Sequence, residues 1–183
     1  AEPEKRGVLC FDVNEQGLIA IGQTGSQDKE ICVYTSQGEF LYGYTFNCTQ
    51  SFCVEWDEQH VNIYFIRSDV IISLDSDGNI LDIKAVQDTI DNNSYRNSLL
   101  YSTTRTVGNT TYLIRNDMGI FNWIATSYSQ IVTIDATGSE SIIYDVNSMQ
   151  LTKTIVTISL ICVFVFVAVA VVIWQFIKLR RGN

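Results

Sequence analysis

The chain has 183 residues, of which 46% are hydrophobic and 17% are charged, and its formal net charge at pH 7 is −8. All 20 acidic residues but only 9 of the 12 basic residues lie before position 155, so that part carries a net charge of −11. This acidity argues against nucleic acid as a partner, because phosphates require a basic binding surface. The length allows one domain and a membrane anchor.

The first residues, AEPEKRG, are polar and do not include a methionine. Such a start is expected after removal of a secretory signal, and it is also expected after trimming of an upstream segment. We treat residues 1–6 as a polar leader and expect residues 7–150 to form an exported domain.

The part that precedes the apolar C-terminal run contains a repeated pattern. The segments CFDVNEQGLIAI from Cys10 and CVEWDEQHVNIY from Cys53 share a cysteine, an acidic residue and a Glu-Gln pair at an offset of 43. VYTSQGEFLYGY from Val33 matches SLDSDGNILDIK from Ser73 at an offset of 40, and TIDATGSESIIY from Thr133 is a looser third copy. Recurrence at this spacing is typical of repeat proteins.

Each copy predicts four short strands. Alternating or β-branched runs such as VLCFDV, LIAIG, ICVYT and FLYGYTF are separated by turn residues. The turn segments SQG, SDG and ATG end in Gly38, Gly78 and Gly138, which tolerate the positive φ that hairpin turns require. Residues 86–98 could hold a helical turn, but we interpret them as a linker, since the helical pattern is poor everywhere before the apolar run. The predicted fold class is all-β.

A unit of about 40 residues with four antiparallel strands resembles the blade of a β-propeller, of the kind found in NHL and WD40 proteins. The resemblance covers residues 7–146 and implies a partial or small propeller, whereas the alternative is an ordinary antiparallel sandwich or meander. Closed propellers have at least about four blades, so three copies predict an open arc, a distorted closure, a dimer that pools its blades, or a partner that supplies the missing ones. Because an open edge invites strand pairing, we expect a partner protein or a second copy of the chain to cover it.

The third copy contains an insert, MGIFNWIATSY, that has no counterpart in the first two copies. Aromatic and methionine side chains are enriched at protein contact surfaces. The insert is therefore either a surface for a protein or for lipid, or an extra strand or core segment of the third copy. Its candidate partner-binding residues are Met118, Ile120, Phe121, Trp123 and Tyr128.

No catalytic, cofactor or metal site is predicted. The sole histidine, His60, matches a turn position, and neither a nucleophile elbow nor a phosphate-binding loop occurs. Asp75 and Asp77 flank a hairpin turn, in which aspartate is a common residue. We therefore expect a protein that is not an enzyme.

The cysteines permit two interpretations. Cys48 and Cys53 are close enough in sequence to bridge across a loop, and Cys10 and Cys53 occupy equivalent repeat positions. Free buried thiols are the alternative to a disulfide.

Residues 155–177 include no charged side chain. At about 1.5 Å per residue, such a run crosses a hydrocarbon core of roughly 30 Å. Lys178, Arg180 and Arg181 follow it directly, which predicts a cytoplasmic tail, and Trp174 is expected among the lipid headgroups. The alternative is a tail-anchored protein with a cytosolic domain.

Together these patterns predict a single-pass protein of the cell membrane, with a leader (1–6), an extracytoplasmic β-repeat domain (7–150), a transmembrane helix (151–178) and a cytoplasmic tail (179–183). Besides membrane lipid, we expect the outer domain to bind a partner protein, as an accessory subunit of a cell-envelope complex. The alternative is a carbohydrate-binding or sensing module that uses Trp56 and Trp123 for stacking.

Overall fold

The computed structural model describes residues 2–24 and 28–181, apart from the side chains of Thr24, Leu179 and Arg180. The chain forms two compact units, Ala1–Asn147 and Ser148–Asn183. The helices of the described residues are α1 (Ile90–Tyr101), a 3₁₀ helix (Gly119–Ile124) and α2 (Asn147–Arg181). The strands are β1 (Val8–Val13), β2 (Ile19–Thr24), β3 (Lys29–Tyr34), β4 (Phe40–Phe46), β5 (Phe52–Asp57), β6 (His60–Phe65), β7 (Val70–Leu74), β8 (Ile80–Ala85), β9 (Thr104–Val107), β10 (Thr110–Arg115), β11 (Gln130–Ile134) and β12 (Glu140–Asp145).

The strands form three antiparallel sheets, each of four strands that are neighbours in the chain. The first sheet contains β1–β4, the second β5–β8 and the third β9–β12. The predicted repeat of three copies with four strands each is therefore confirmed. The sheets are blade-like, but the described residues do not form a closed propeller.

One hydrogen-bond pattern recurs in four hairpin turns. A side-chain oxygen at the start of the turn accepts bonds of 2.8 to 3.2 Å from the backbone N–H groups two and four residues later. These first residues are Asn14, Thr35, Asp75 and Asp135. Three residues further on lies a glycine with φ of 79° to 83°, at Gly17, Gly38, Gly78 and Gly138. The positive φ of Gly38, Gly78 and Gly138 confirms the predicted turn glycines. A residue with a side chain would strain the backbone at this φ.

The turn at Asp135 leads to a prediction for acidic pH. The Thr137 hydroxyl at 2.6 Å and the Ser139 backbone N–H at 3.0 Å lower the pKa of this carboxyl below its usual 3.8. Since the folded pKa is lower than the unfolded one, the stabilising contribution is present above about pH 4 and is lost as pH falls through the folded pKa. We expect NMR titration of the full chain to give Asp135 a pKa below 3.8, and Thr137→Val to raise it. An unshifted pKa would contradict this hydrogen-bond pattern.

The first sheet contacts both of the others. β1 and β2 pack against β5 of the second sheet, and β1 also packs against β9 of the third. Val8 and Tyr128 exchange two backbone hydrogen bonds of 2.8 Å, which join the first sheet to the segment just before β11. The shared core combines residues of the first and second sheets with Leu99 of α1.

A tyrosine in the fourth strand of the first and third sheets contacts the neighbouring sheet. The Tyr44 hydroxyl donates to the Asp75 carbonyl oxygen of the second sheet at 2.6 Å, and Tyr144 donates to the Arg6 carbonyl oxygen beside the first sheet at 2.7 Å. Both tyrosines are buried, and each lies six residues after its turn glycine. The same position in the second sheet is Lys84, which is exposed. The outer part of the second sheet therefore differs from its two counterparts.

The linker interpretation of residues 86–98 is wrong, because α1 begins at Ile90. The Thr89 hydroxyl caps this helix by accepting from the Asn92 backbone N–H at 3.2 Å. Leu99 is buried in the core, and Arg96 pairs with Asp69 at 2.8 Å. Asp, Asn and Ser are weak helix formers, so tertiary contacts rather than propensity stabilise α1.

The insert at 118–128 does not supply an extra strand. It forms the 3₁₀ helix Gly119–Ile124, followed by the single bridging residue Tyr128. Gly119 has a φ of 58°, which turns the chain away from an extended path. The Met118 backbone N–H donates to the Asn122 Oδ1 at 2.7 Å and closes the segment locally.

α2 is long and apolar enough, over Asn147–Lys178, to cross a membrane by length and composition. The helix extends beyond the predicted bounds of 151–178 at both ends. Near its C-terminal end, the Lys178 Nζ lies 5.5 Å from the centroid of the Trp174 ring.

Candidate functional site

One carboxylate links the three sheets. Asp12 of β1 accepts a bond of 2.7 Å from the Arg105 Nε of β9 and another of 2.7 Å from the Trp56 backbone N–H of β5. Arg105 also donates to the Leu99 carbonyl oxygen of α1 at 3.4 Å, and its guanidinium lies 5.4 Å from the centroid of the Phe11 ring. The side chains of the pair are only 13% and 16% exposed. Sequence reasoning recognised Asp12 as a repeat position but missed its partner, because nothing local marks Arg105.

Glu55 occupies the repeat position of Asp12 in the second sheet. It accepts a hydrogen bond from the Tyr95 hydroxyl of α1. Burial raises the pKa of the Glu55 carboxyl above its usual value, and the negative charges of Asp12 and Asp57 raise it further. The recurring acidic residue therefore has a structural use in both copies, with different partners.

A cleft of about 470 Å³ lies between the β1–β2 and β5–β6 turns. Its lining includes the recurring Glu-Gln pairs of the sequence together with the indole of Trp56. The lining residues are Val13, Asn14, Glu15, Gln16, Trp56, Glu58 and Gln59. Two carboxylates and three amides beside an indole provide hydrogen-bond donors, acceptors and a flat apolar surface. The sequence identified the two Glu-Gln pairs as part of the repeat. It did not indicate that both pairs line the same cleft.

The structure separates the five predicted partner-binding residues. Met118 is buried at 4% exposure, and Phe121 and Tyr128 are half-buried. Ile120 and Trp123 are 79% and 83% exposed. A 3₁₀ helix has about three residues per turn, so residues 120 and 123 lie on the same side of it. Only these two form an exposed apolar surface, which we call the Ile120–Trp123 pair.

The strand β8 is a second exposed surface, which the sequence did not single out. All six of its residues are exposed, including Ile80 and Ile83 at 58% each and Leu81 at 49%. Within the described residues β8 pairs only with β7, so its outer backbone groups have no strand partner. Whether a strand such as β8 is exposed depends on which other elements pack against its sheet, and the alternation of residues within the strand does not indicate this.

All five cysteines lie in the described part of the chain and are free thiols. Cys53 is buried and Cys48 is partly exposed, so the predicted Cys48–Cys53 disulfide is not formed in this structure. Burial raises the pKa of Cys53 to about 12, and burial together with the neighbouring Cys53 raises that of Cys10 still further. Both thiols therefore stay protonated and unreactive at neutral pH.

These thiols lead to a prediction for alkaline pH. Because their folded pKa exceeds the unfolded value of 9.0, their contribution to stability is complete below that pH and decreases above it. We expect the free energy of unfolding of the full chain in detergent, measured with denaturant, to decrease above about pH 9, and buried tyrosines to add to the loss. Cys53→Ala should weaken this pH dependence. A dependence as steep as that of the unsubstituted chain would contradict the assignment to buried thiols.

The predicted membrane-interface residues all belong to α2. Trp174, Lys178 and Arg181 are exposed on the helix, whereas the Arg180 side chain lies outside the described residues. Among the described residues, no group of three or more His, Cys, Asp or Glu side chains is arranged to hold a metal ion.

No family model matches the sequence, and no curated protein is significantly similar to it. A crystal structure of a protein of unknown function from Bacteroides caccae is similar at 13% identity and a TM-score of 0.39, over 80% of this chain and 69% of that one. Apart from the blade-like sheets, nothing supports the resemblance to NHL and WD40 proteins.

Proposed function

We propose that this chain is a single-pass membrane protein without enzymatic activity, whose extracytoplasmic β-repeat domain binds a partner protein through β8. In this role it is an accessory subunit of a cell-envelope complex. The observation that carries the proposal is the exposure of all six residues of β8, which include three large apolar side chains and pair only with β7 in the described part of the chain.

Membrane anchoring by α2 is supported by the uncharged run 155–177 and by the basic residues that follow it. Basic residues are retained on the cytoplasmic side, so the tail is cytoplasmic and the β-repeat domain lies outside. The net charge of −11 before the run agrees with an exported domain that stays soluble by self-repulsion.

The comparison between sheets supports β8 as the binding edge. In the first and third sheets, Tyr44 and Tyr144 are buried against a neighbouring sheet, whereas the equivalent Lys84 is exposed. A partner that presents a strand to β8 would satisfy its backbone groups and cover Ile80 and Ile83. Lys84 pairs with Asp82 at 3.1 Å, and charged side chains of this kind protect an edge from indiscriminate pairing.

Co-purification of the tagged full chain from its native membranes tests the proposal. We expect a stoichiometric companion protein that is lost when Ile80→Asp and Ile83→Asp are combined. Ile142→Asp is the matched control, because Ile142 is 53% exposed on β12, the edge strand of the third sheet. A monomer without a companion, measured by light scattering in detergent, would refute the proposal, and a dimer lost in the same double variant would identify a second copy as the partner.

The cleft beside Trp56 favours carbohydrate as a second candidate ligand. Its carboxylates and amides suit sugar hydroxyl groups, and an indole suits the apolar face of a sugar ring. If this function is correct, the full chain in detergent should bind members of a glycan array. Combining Gln16→Ala with Gln59→Ala, both at exposed turn positions, should abolish binding without changing the thermal unfolding temperature. Binding that persists in this variant would exclude the cleft.

A further inference from the structure

We infer that the cleft between the β1–β2 and β5–β6 turns binds a sugar that carries a free, protonated amino group. The inference rests on the carbohydrate-binding function proposed for this cleft and names the class of its ligand. That class is an oligosaccharide of unacetylated amino sugars rather than a neutral glycan.

Two equivalent turns supply most of the polar side chains of the cleft. Glu15 and Gln16 belong to the β1–β2 turn, and Glu58 and Gln59 occupy the same repeat positions in the β5–β6 turn. All four residues are exposed, and the packing of β1 against β5 brings the two turns to one cavity of about 470 Å³. This volume lies in the range of small-molecule sites, roughly 300–1,000 Å³.

The lining of the cleft carries negative charge without a compensating cation. Within the described residues, neither Glu15 nor Glu58 has an ion pair or a side-chain hydrogen bond, and no basic residue lines the cleft. The part of the chain before the apolar run has a net charge of −11, which attracts cations over a longer range. A cationic group of a ligand would therefore be stabilised here, and its hydrogen bonds to carboxylates would be stronger than those of a neutral group.

Asn14 provides a donor for an oxygen of the ligand. It is 6% exposed and lines the cleft. Its Oδ1 accepts from the backbone N–H groups of Gln16 and Leu18 at 3.1 and 2.8 Å, which fixes the orientation of the amide. Its Nδ2 has no hydrogen-bond partner in the part of the chain that the structure describes. Because buried polar groups are nearly always paired, we assign this donor to a sugar hydroxyl.

Trp56 favours a ligand that combines a cation with an apolar ring surface. An ammonium group within about 6 Å of an indole centroid is attracted by the negative face of the ring. The flat indole also offers an apolar surface to the carbon-bound face of a sugar. A calcium ion fits less well, because it takes about six to eight oxygen ligands and the described residues hold no cluster of three carboxylates, imidazoles or thiols. An amino sugar uses the carboxylates, the indole and the free donor of Asn14 together.

Calorimetric titration of the full chain in detergent with two matched trisaccharides tests the inference. One is a trimer of glucosamine and the other is the same trimer with acetylated amino groups, and both are used at about pH 6, at which free amines are protonated. We expect the glucosamine trimer to bind at least about fivefold more tightly, because acetylation removes the charge that Glu15 and Glu58 attract. Raising the salt concentration from about 0.05 to about 0.5 M should reduce this preference by screening.

Two double variants assign the preference to the cleft. Glu15→Gln combined with Glu58→Gln should abolish the preference and retain binding of the acetylated trimer, since glutamine keeps the size and polarity of the side chain. Glu39→Gln combined with Asp77→Asn is the matched control, because it removes the same charge from two exposed turn positions outside the cleft. This control should retain the preference, and its loss there would overturn the inference in favour of a general effect of net charge.

The outcomes separate the inference from the carbohydrate-binding function on which it rests. Equal binding of the two trimers overturns the inference and leaves that function intact. Absence of binding by either trimer also overturns the inference, and absence of any ligand on the glycan array overturns the function with it. Binding of trilysine as tight as that of the glucosamine trimer overturns the inference as well, because the cleft would then recognise an ammonium group without the sugar ring.

Discussion

Arg105→Met is expected to lower the free energy of unfolding by about 3–5 kcal/mol, because it leaves the charge of a largely buried Asp12 without its partner. The Asp12 carboxylate would keep its bond from the Trp56 backbone N–H but lose the bond of 2.7 Å to the third sheet. The bond from Arg105 to the last turn of α1 would be lost as well. Denaturant unfolding of the full chain in detergent measures the loss.

Arg115→Met is the matched control for this prediction. Arg115 pairs with Glu140 at 2.9 Å, but the two side chains are 36% and 48% exposed, so the pair should contribute no more than about 1 kcal/mol. Adding Asp12→Asn to Arg105→Met should recover part of the loss, because the amide still accepts from Trp56 and no unpaired charge remains. Similar losses for Arg105→Met and Arg115→Met would show that Asp12 does not link the sheets energetically.

Gly38→Ala is expected to destabilise the contact between the first and third sheets. A Cβ at this position would lie 2.3 Å from the Ile143 carbonyl oxygen, which belongs to the backbone of β12. The φ of 83° alone costs about 1–2 kcal/mol for a residue with a side chain. Displacing β12 adds about 1–3 kcal/mol, as overpacking generally does. Denaturant unfolding measures the sum.

Gly138→Ala separates the two contributions. Gly138 has a φ of 81° in the equivalent turn of the third sheet, and no described atom lies within 4 Å of an added Cβ. This variant should show the backbone cost alone, so the difference between the two variants reports the contact with Ile143. Equal losses would contradict the close approach of the β3–β4 turn to β12.

Local rules determined the repeated part of the fold. The turn glycines Gly38, Gly78 and Gly138 could be predicted because a hairpin turn requires a residue with positive φ. This requirement depends only on the few residues of the turn itself. The three copies of four strands followed from alternation between such turns. The apolar run 155–177 is evident in the same way, because transfer into lipid depends on composition along one segment. These features need no information from distant parts of the chain.

Only the tertiary structure decided which residues are buried, paired or exposed. Asp12 and Arg105 are 93 residues apart, and their pairing depends on how the sheets meet. α1 has weak propensity and forms because Leu99 enters a core that other elements build. Within the insert, Met118 and Trp123 are both large apolar residues, and the sequence does not distinguish their environments. In the structure Met118 is buried and Trp123 is exposed. β4 and β8 are equivalent strands that differ because a neighbouring sheet covers Tyr44 and leaves Lys84 exposed. Burial depends on the three-dimensional surroundings of a residue, which periodicity and turn chemistry do not encode.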